Sequence, residues 1–166
     1  MQSDGSGSEA IIVPDGATRS PWTKDSDKMI ELEKGVKRSK RNLWLDGIEV
    51  FNFSLREVAP NVKALMENIN TSTEDYDYFV FHQANKLMNE SIRKKLKLPV
   101  EKVPYSLKDF GNTSSASIPL TIVTELENKL NKPTNIVLSA FGVGLSWGSA
   151  AIRNADIKCF PLIEVE

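Results

Sequence analysis

The chain has 166 residues, 40% of them hydrophobic and 26% charged, which leaves room for one domain of ordinary globular composition and excludes a collagen-like, disordered or coiled-coil chain. Twenty-one basic against 22 acidic side chains give a net charge of −1, which argues against nucleic-acid binding, and no apolar run is long enough to span a membrane. A single histidine and a single cysteine exclude an internal disulfide and any zinc site built from four cysteines or from paired cysteines and histidines, so nucleophile–base chemistry has to pass through very few residues.

The first eight residues are polar and Gly/Ser-rich, with neither the basic nor the apolar segment of a secretory signal, and a cytoplasmic location is expected. Ala10-Ile11-Ile12-Val13 reads as a short buried strand closed by the turn signature Pro14-Asp15-Gly16. Residues 18–41 carry a weak pattern and read as loop, with Lys34, Lys37, Arg38, Lys40 and Arg41 forming a solvated basic face. Leu43-Trp44-Leu45 is a second short strand that stops at Asp46-Gly47. Leu55, Val58, Val62, Leu65, Met66 and Ile69 recur at helical spacing, and Pro60 is expected to bend or split that helix.

Tyr78-Phe79-Val80-Phe81 is aromatic and β-branched, a strand ending at His82. A helix over residues 85–97 follows, with Met88, Ile92 and Leu96 as its buried side and Pro99 as its stop. Residues 103–107 are ambiguous. Gly111 to Ser115 is loop running into a helix whose apolar face is Ile118, Ile122, Val123, Leu126 and Leu130. Residues 135–140 and 145–152 read as an antiparallel pair joined by Phe141-Gly142-Val143-Gly144. Five strands interleaved with helices predict an α/β fold, a mixed five-stranded sheet covered by helices.

Three features fall at strand ends or in loops. His82 lies where open α/β sheets bind ligands, though a partly buried structural histidine fits the same position. Asn112 suits a turn or cap equally well. The Gly142-Val143-Gly144 connection allows close backbone approach but is a weak signal alone. A His and an Asn side by side can donate two hydrogen bonds to one carbonyl oxygen and so stabilise an enolate or oxyanion. Cys159 sits in a mixed tail with no strand-to-helix turn to lower its pKa, so it is not the expected nucleophile.

His82-Gln83-Ala84-Asn85, then Gly111-Asn112-Thr113-Ser114-Ser115-Ala116-Ser117 with 30 residues from His to Asn, then residues 141–150, strongly resemble the C-terminal half of 3-oxoacyl-[acyl-carrier-protein] synthase III, of the thiolase superfamily. Ser3-Asp4-Gly5-Ser6-Gly7 and Trp44-Leu45-Asp46-Gly47 fit the same pattern, so the resemblance runs from about residue 3 to 153. It implies a thiolase-like C-terminal half over residues 1–153 and a C-terminal extension over 154–166. It also implies a missing N-terminal half that carries a Cys nucleophile, a homodimeric whole enzyme, and no condensing activity from this chain alone.

The implied reaction takes an acyl group from acyl-CoA onto that Cys and condenses it with decarboxylating malonyl-acyl-carrier-protein, without a cofactor or metal. By motif match His82 and Asn112 are the catalytic pair and the Val143 N–H serves an oxyanion hole. Leu45, Gly47, Phe51, Ala84, Asn85 and Met88 match positions that line the acyl or pantetheine channel. Independently of the resemblance, residues 82–108 hold seven basic and two acidic side chains, a local +5 against −6 for the rest. Lys86, Arg93, Lys94 and Lys97 are therefore expected to face an acidic acyl carrier protein. A related thiolase-fold acyltransferase, a specialised lipid or polyketide condensing enzyme, and a non-catalytic dimerisation or carrier-binding domain stand as alternatives.

Overall fold

The computed structural model describes residues 1–163. The chain forms two compact units, a smaller one of residues 2–52 with 142–146 and a larger one of residue 1, residues 53–141 and residues 147 onward.

In the smaller unit β1 (Gln2–Ser3) leads into a single 3-10 turn over Gly5–Gly7, capped by the Asp4 carboxylate, which accepts the Ser6 N–H at 2.9 Å. The Asp4 N–H donates to the Leu145 carbonyl at 2.8 Å, which ties the N-terminal motif to the Gly-rich connection far along the chain. β2 (Ile11–Ile12) pairs antiparallel with β5 (Trp44–Leu45), Ile11 opposite Leu45. Between them Asp15 accepts hydrogen bonds from Ser20 Oγ and from the buried Ser26 Oγ, and these bonds, Ser26 first, hold its pKa below the usual aspartate value.

The stretch read as loop contains an antiparallel hairpin instead, β3 (Ile30–Glu33) against β4 (Val36–Arg38), turning at Gly35 with φ of +82°. Its period-two alternation is present in Ile30-Glu31-Leu32-Glu33, but every residue of both strands is exposed. A ribbon with no buried face lacks the apolar run that marks a core strand.

α1 (Gly47–Asn68) starts at Asp46, whose carboxylate accepts the N–H groups of Ile48 and Glu49 at 3.1 and 2.9 Å. The boundary between the units falls within this helix. Pro60 neither splits nor ends it: α1 continues for 22 residues with Pro60 inside. The proline removes only the bond to the Arg56 carbonyl, and both residues are exposed, so water can satisfy that oxygen. Val58, Ala59, Val62 and Met66, all buried, hold the helix on both sides of the break.

The larger unit is built on β6 (Tyr78–Phe81), β7 (Thr134–Gly142) and β8 (Ser146–Ala155), side by side in the order β8-β7-β6. β6 and β7 run parallel, Tyr78 opposite Ile136 and Phe81 opposite Ser139. β7 and β8 are joined by three residues, short enough only for an antiparallel turn, so the sheet is mixed. All five expected strands form. Three lie in this sheet, and β2 and β5 pair with each other.

One face of the sheet carries Val80 and Ile136, packed with Leu126 and Leu130 and bordered by Ile118 and Ile122 of α4 (Ser117–Glu125). The other face meets α1: Phe53 sits edge-on to Trp147 at 5.4 Å, and Ser149 Oγ donates to Asn61 Oδ1 at 2.7 Å. Successive side chains on a strand point to opposite faces, which is why Phe79, Phe81 and Val137 are as fully buried as Val80 and Ile136. α2 (Lys86–Lys95) follows β6, and a short α3 (Leu107–Phe110) ends at Gly111, whose φ of +64° suits glycine. β8 runs to Ala155, so the boundary expected at 153 falls inside a strand. Beyond it Ile157 and Cys159 pack against the Val80 cluster.

Replacing Pro60 with Ala restores the missing bond and an unstrained turn without touching the core, and is expected to stabilise the fold by about 2 kcal/mol. A urea melt checks this; an unchanged or lowered midpoint would show that the surroundings have adapted to the proline.

Candidate active site

His82 directly follows the last residue of β6, and its N–H donates to the Ser139 carbonyl at 2.8 Å, extending the parallel ladder by one bond. Its carbonyl accepts from Asn89 Nδ2 of α2 at 3.1 Å. The imidazole stands edge-on to Phe141 at 5.5 Å, and its Nδ1 is 2.7 Å from Ser117 Oγ at the start of α4. Burial pushes its pKa below 6.5, while a hydrogen bond to the Ser114 backbone acts in the opposite sense. The ring is therefore neutral at physiological pH, able to donate from one nitrogen and accept at the other.

Asn112 is fixed by the same loop. Its Oδ1 accepts the Ser114 N–H at 2.9 Å, so the carbonyl end of the amide is committed and the NH2 end is the remaining donor. Asn112 is anchored on Ser114 and the His82 ring on Ser117, three residues further along, although thirty residues of chain separate the two.

Behind the ring lies a buried polar network that the sequence reading left unassigned. Gln83 is fully buried; its N–H donates to Ser117 Oγ at 3.2 Å, its Nε2 to the Phe81 carbonyl at 2.8 Å, and its Oε1 accepts the Ser106 N–H. Thr121 Oγ1 donates to the Ser117 carbonyl at 2.8 Å, so in its 2.7 Å contact with Ser106 Oγ it is the acceptor. Gln83, Ser106, Ser117 and Thr121 are at most 1% exposed, and each has a partner, as buried polar groups require. A run of Ser and Thr at helix spacing after Asn112 was the available signal, but it does not say which hydroxyl meets the histidine.

The other expected residues are placed as follows. Asn85 caps α2, its Oδ1 accepting the Met88 N–H at 2.8 Å; Met88 faces inward, 6% exposed; Ala84 is half-buried. In the smaller unit Leu45 and Gly47 are exposed and Phe51 is half-buried. Val143 is also there, 67% exposed, beside Gly144. Gly144 has φ of +146°, and a Cβ on it would lie 2.7 Å from the Ser146 nitrogen, so a side chain is barred. Lys86, Lys94 and Lys97 are exposed on and after α2.

Arg93 is not free in the same way. It is bound to both Glu90 oxygens at 3.0 and 2.8 Å and to the Leu98 carbonyl at 2.6 Å. That contact, with Tyr105 Oη donating to Glu90 at 2.6 Å, pulls the Glu90 pKa down to about 2. Cys159 is half-buried, and burial raises its thiol pKa, the opposite of what a nucleophile needs. Among the described residues no group of three or more His, Cys, Asp or Glu is placed to hold a metal, and no helix is long and apolar enough to cross a membrane.

A mixed sheet with helices on both faces, with His82 at the end of its parallel strand and Asn112 in the loop before α4, has a thiolase-like fold. Residues 66–154 match the family profile described as 3-Oxoacyl-[acyl-carrier-protein (ACP)] synthase III C terminal, and the chain belongs to that family. It is 33% identical over 156 residues to the beta-ketoacyl-[acyl-carrier-protein] synthase III of Lactococcus lactis subsp. lactis strain IL1403, covering 92% of this chain and 45% of that protein. Synthase III 1 of Halalkalibacterium halodurans is 44% identical over 112 residues, 67% of this chain and 36% of the relative. The crystal structure of a 3-oxoacyl-(acyl-carrier protein) synthase from Burkholderia xenovorans LB400 superposes with a TM-score of 0.85 at 38% identity, over 99% of this chain and 46% of that one. The chain thus spans about half the length of the relatives it matches.

Because burial disfavours the charged ring, His82 is expected to titrate below 6.5. The unfolded chain then takes up the proton first as pH falls, so stability is full above about pH 6.5 and declines from there to the folded-state midpoint. As the one histidine it gives an unambiguous NMR titration; a midpoint at or above 6.5 would contradict the burial argument.

Proposed function

We propose that this chain supplies the decarboxylating half-site of a 3-oxoacyl-[acyl-carrier-protein] synthase III, a cytoplasmic homodimeric condensing enzyme of fatty-acid initiation that needs no cofactor. The observation that carries the reading is the pairing of a buried His82 ring, fixed at the end of β6 with Nδ1 2.7 Å from Ser117 Oγ, with an Asn112 amide whose oxygen is committed to Ser114 and whose NH2 is left to donate. A malonyl thioester whose carbonyl oxygen accepts from both donors loses CO2. The electrons of the broken C–C bond pass into an enolate, and its negative oxygen is held by the same two hydrogen bonds. The enolate carbon attacks an acyl-Cys thioester on the other half of the enzyme. A C–C bond forms, the tetrahedral oxyanion is held by the Val143 N–H and the nucleophile's own N–H, and the Cys thiolate leaves.

Neutrality of His82 is what the reaction needs, since a donor close to its acceptor's basicity shares rather than surrenders its proton. Cys159 takes no part, so the chain by itself does not condense and requires a half carrying the nucleophile. With that half supplied, His82→Ala and Asn112→Ala are each expected to lower malonyl-carrier decarboxylation about 10²–10³-fold, as loss of an oxyanion donor does elsewhere. Transfer of the acyl group from acyl-CoA to the Cys is spared. Loss of acyl transfer instead would overturn the assigned roles.

The exposed lysines of α2 fit an acidic carrier protein. Reversing Lys94 to Glu is expected to weaken carrier binding about two- to fivefold, with the effect fading at high salt. Arg93→Gln, by contrast, releases Glu90 and lowers stability more than carrier affinity. Binding measured by titration calorimetry beside a thermal melt separates the two; equal loss of affinity in both would place Arg93 on the carrier surface.

A further inference from the structure

The hydroxyl of Ser117 has a defined direction that follows from its neighbours. Ser117 is 1% exposed, so its one proton needs a protein acceptor. Its Oγ already accepts from the Gln83 N–H at 3.2 Å, and its own carbonyl is engaged by Thr121 Oγ1. The remaining partner in reach is His82 Nδ1, at 2.7 Å. If Nδ1 carried the ring proton it would donate to Oγ, and the buried hydroxyl proton would be left with no acceptor. If Nδ1 is bare, all three groups are satisfied.

We infer that Ser117 is a positioning residue that donates to His82 Nδ1 and thereby fixes the neutral ring with its proton on Nε2. The Ser117 contact decides the tautomer because the alternative strands a buried hydroxyl. The arrangement is held from behind by fully buried groups: Ser106 Oγ donates to Thr121, Thr121 to the Ser117 carbonyl, and Gln83 to Ser117 Oγ. The first turn of α4 therefore cannot rotate its serine away from the ring without breaking several bonds at once. In the proposed reaction, on which this role depends for its use though not for its truth, Nε2–H is then the donor offered to the thioester carbonyl.

The test reads the ring directly. In ¹⁵N-labelled protein above the His82 midpoint, two-bond correlations from the ring carbons distinguish a bare, pyridine-like nitrogen from a protonated, pyrrole-like one. The wild-type chain is expected to show Nδ1 bare and Nε2 protonated. In Ser117→Ala the ratio of the two tautomers is expected to fall about tenfold, the size of effect an unmade buried hydrogen bond gives, and Ser117→Thr is expected to restore it. Ser117→Cys, a weak donor of similar volume, keeps the comparison available should the alanine variant not fold, and is expected to fall between. A protonated Nδ1 in the wild type, or an unchanged tautomer ratio in the folded alanine or cysteine variant, overturns the inference. Because no activity is measured, a bare Nδ1 in a chain that fails to decarboxylate with its nucleophile half counts against the proposed function and leaves this inference standing.

Discussion

The larger unit rests on a short parallel pairing. Four residues of β6, Tyr78 to Phe81, register against Ile136 to Ser139, and both strands are buried on both faces. A parallel pair has no turn to hold it in register, so its alignment comes from packing: Val80 and Ile136 against Leu126 and Leu130 on one side, Phe79, Phe81 and Val137 on the other. A slip by one residue would turn each of these side chains onto the opposite face. The candidate site hangs from the end of that pairing. The ladder's last bond is made by the His82 N–H, so the position of the imidazole is set by the core and not by a loop.

From that fixed point the site is assembled by polar contacts that all converge on the start of α4. Ser114 orients Asn112, Ser117 meets the ring, and Gln83, Ser106 and Thr121 fill the space behind. These last groups are as deeply buried as the apolar core beside them, and each of their contacts is directional. The core fixes where the ring sits, and the network fixes how it is turned. In the proposed function such an arrangement is set before any substrate arrives, which is the condition under which hydrogen-bond donors stabilise developing charge without reorganising.

Much of this was legible in the sequence because the relevant elements are buried and periodic. Tyr78 to Phe81 announced a strand ending at His82; Met88, Ile92 and Leu96 announced the inward side of α2; Ile118, Ile122 and Leu126 that of α4. The motif around Asn112 located its loop. The readings that missed did so where burial was absent or where a third partner decided. The β3–β4 hairpin has no buried face, so its alternation looked like a run of charge. Pro60 was expected to break a helix that its exposed orientation lets continue. Arg93 shares its helix side with free lysines, but a glutamate one turn back and a tyrosine fifteen residues past that glutamate take it out of solvent. Ser117 could be seen in the sequence only as one of several hydroxyls.

The tail beyond β8 carries a consequence for how the domain is bounded. Ile157 and Cys159 lie on the cluster formed by Val80, Leu126, Leu130 and Ile136, and Cys159 Sγ reaches toward the Ile122 carbonyl at 3.9 Å. Seen from α4, these residues are the outer wall of the helix that holds Asn112's loop and Ser117. An expression boundary drawn at the end of the family profile would strip that wall and uncover Ile122, on the helix whose first residue meets the histidine. The segment outside the family profile is thus, by its contacts, part of the support for α4.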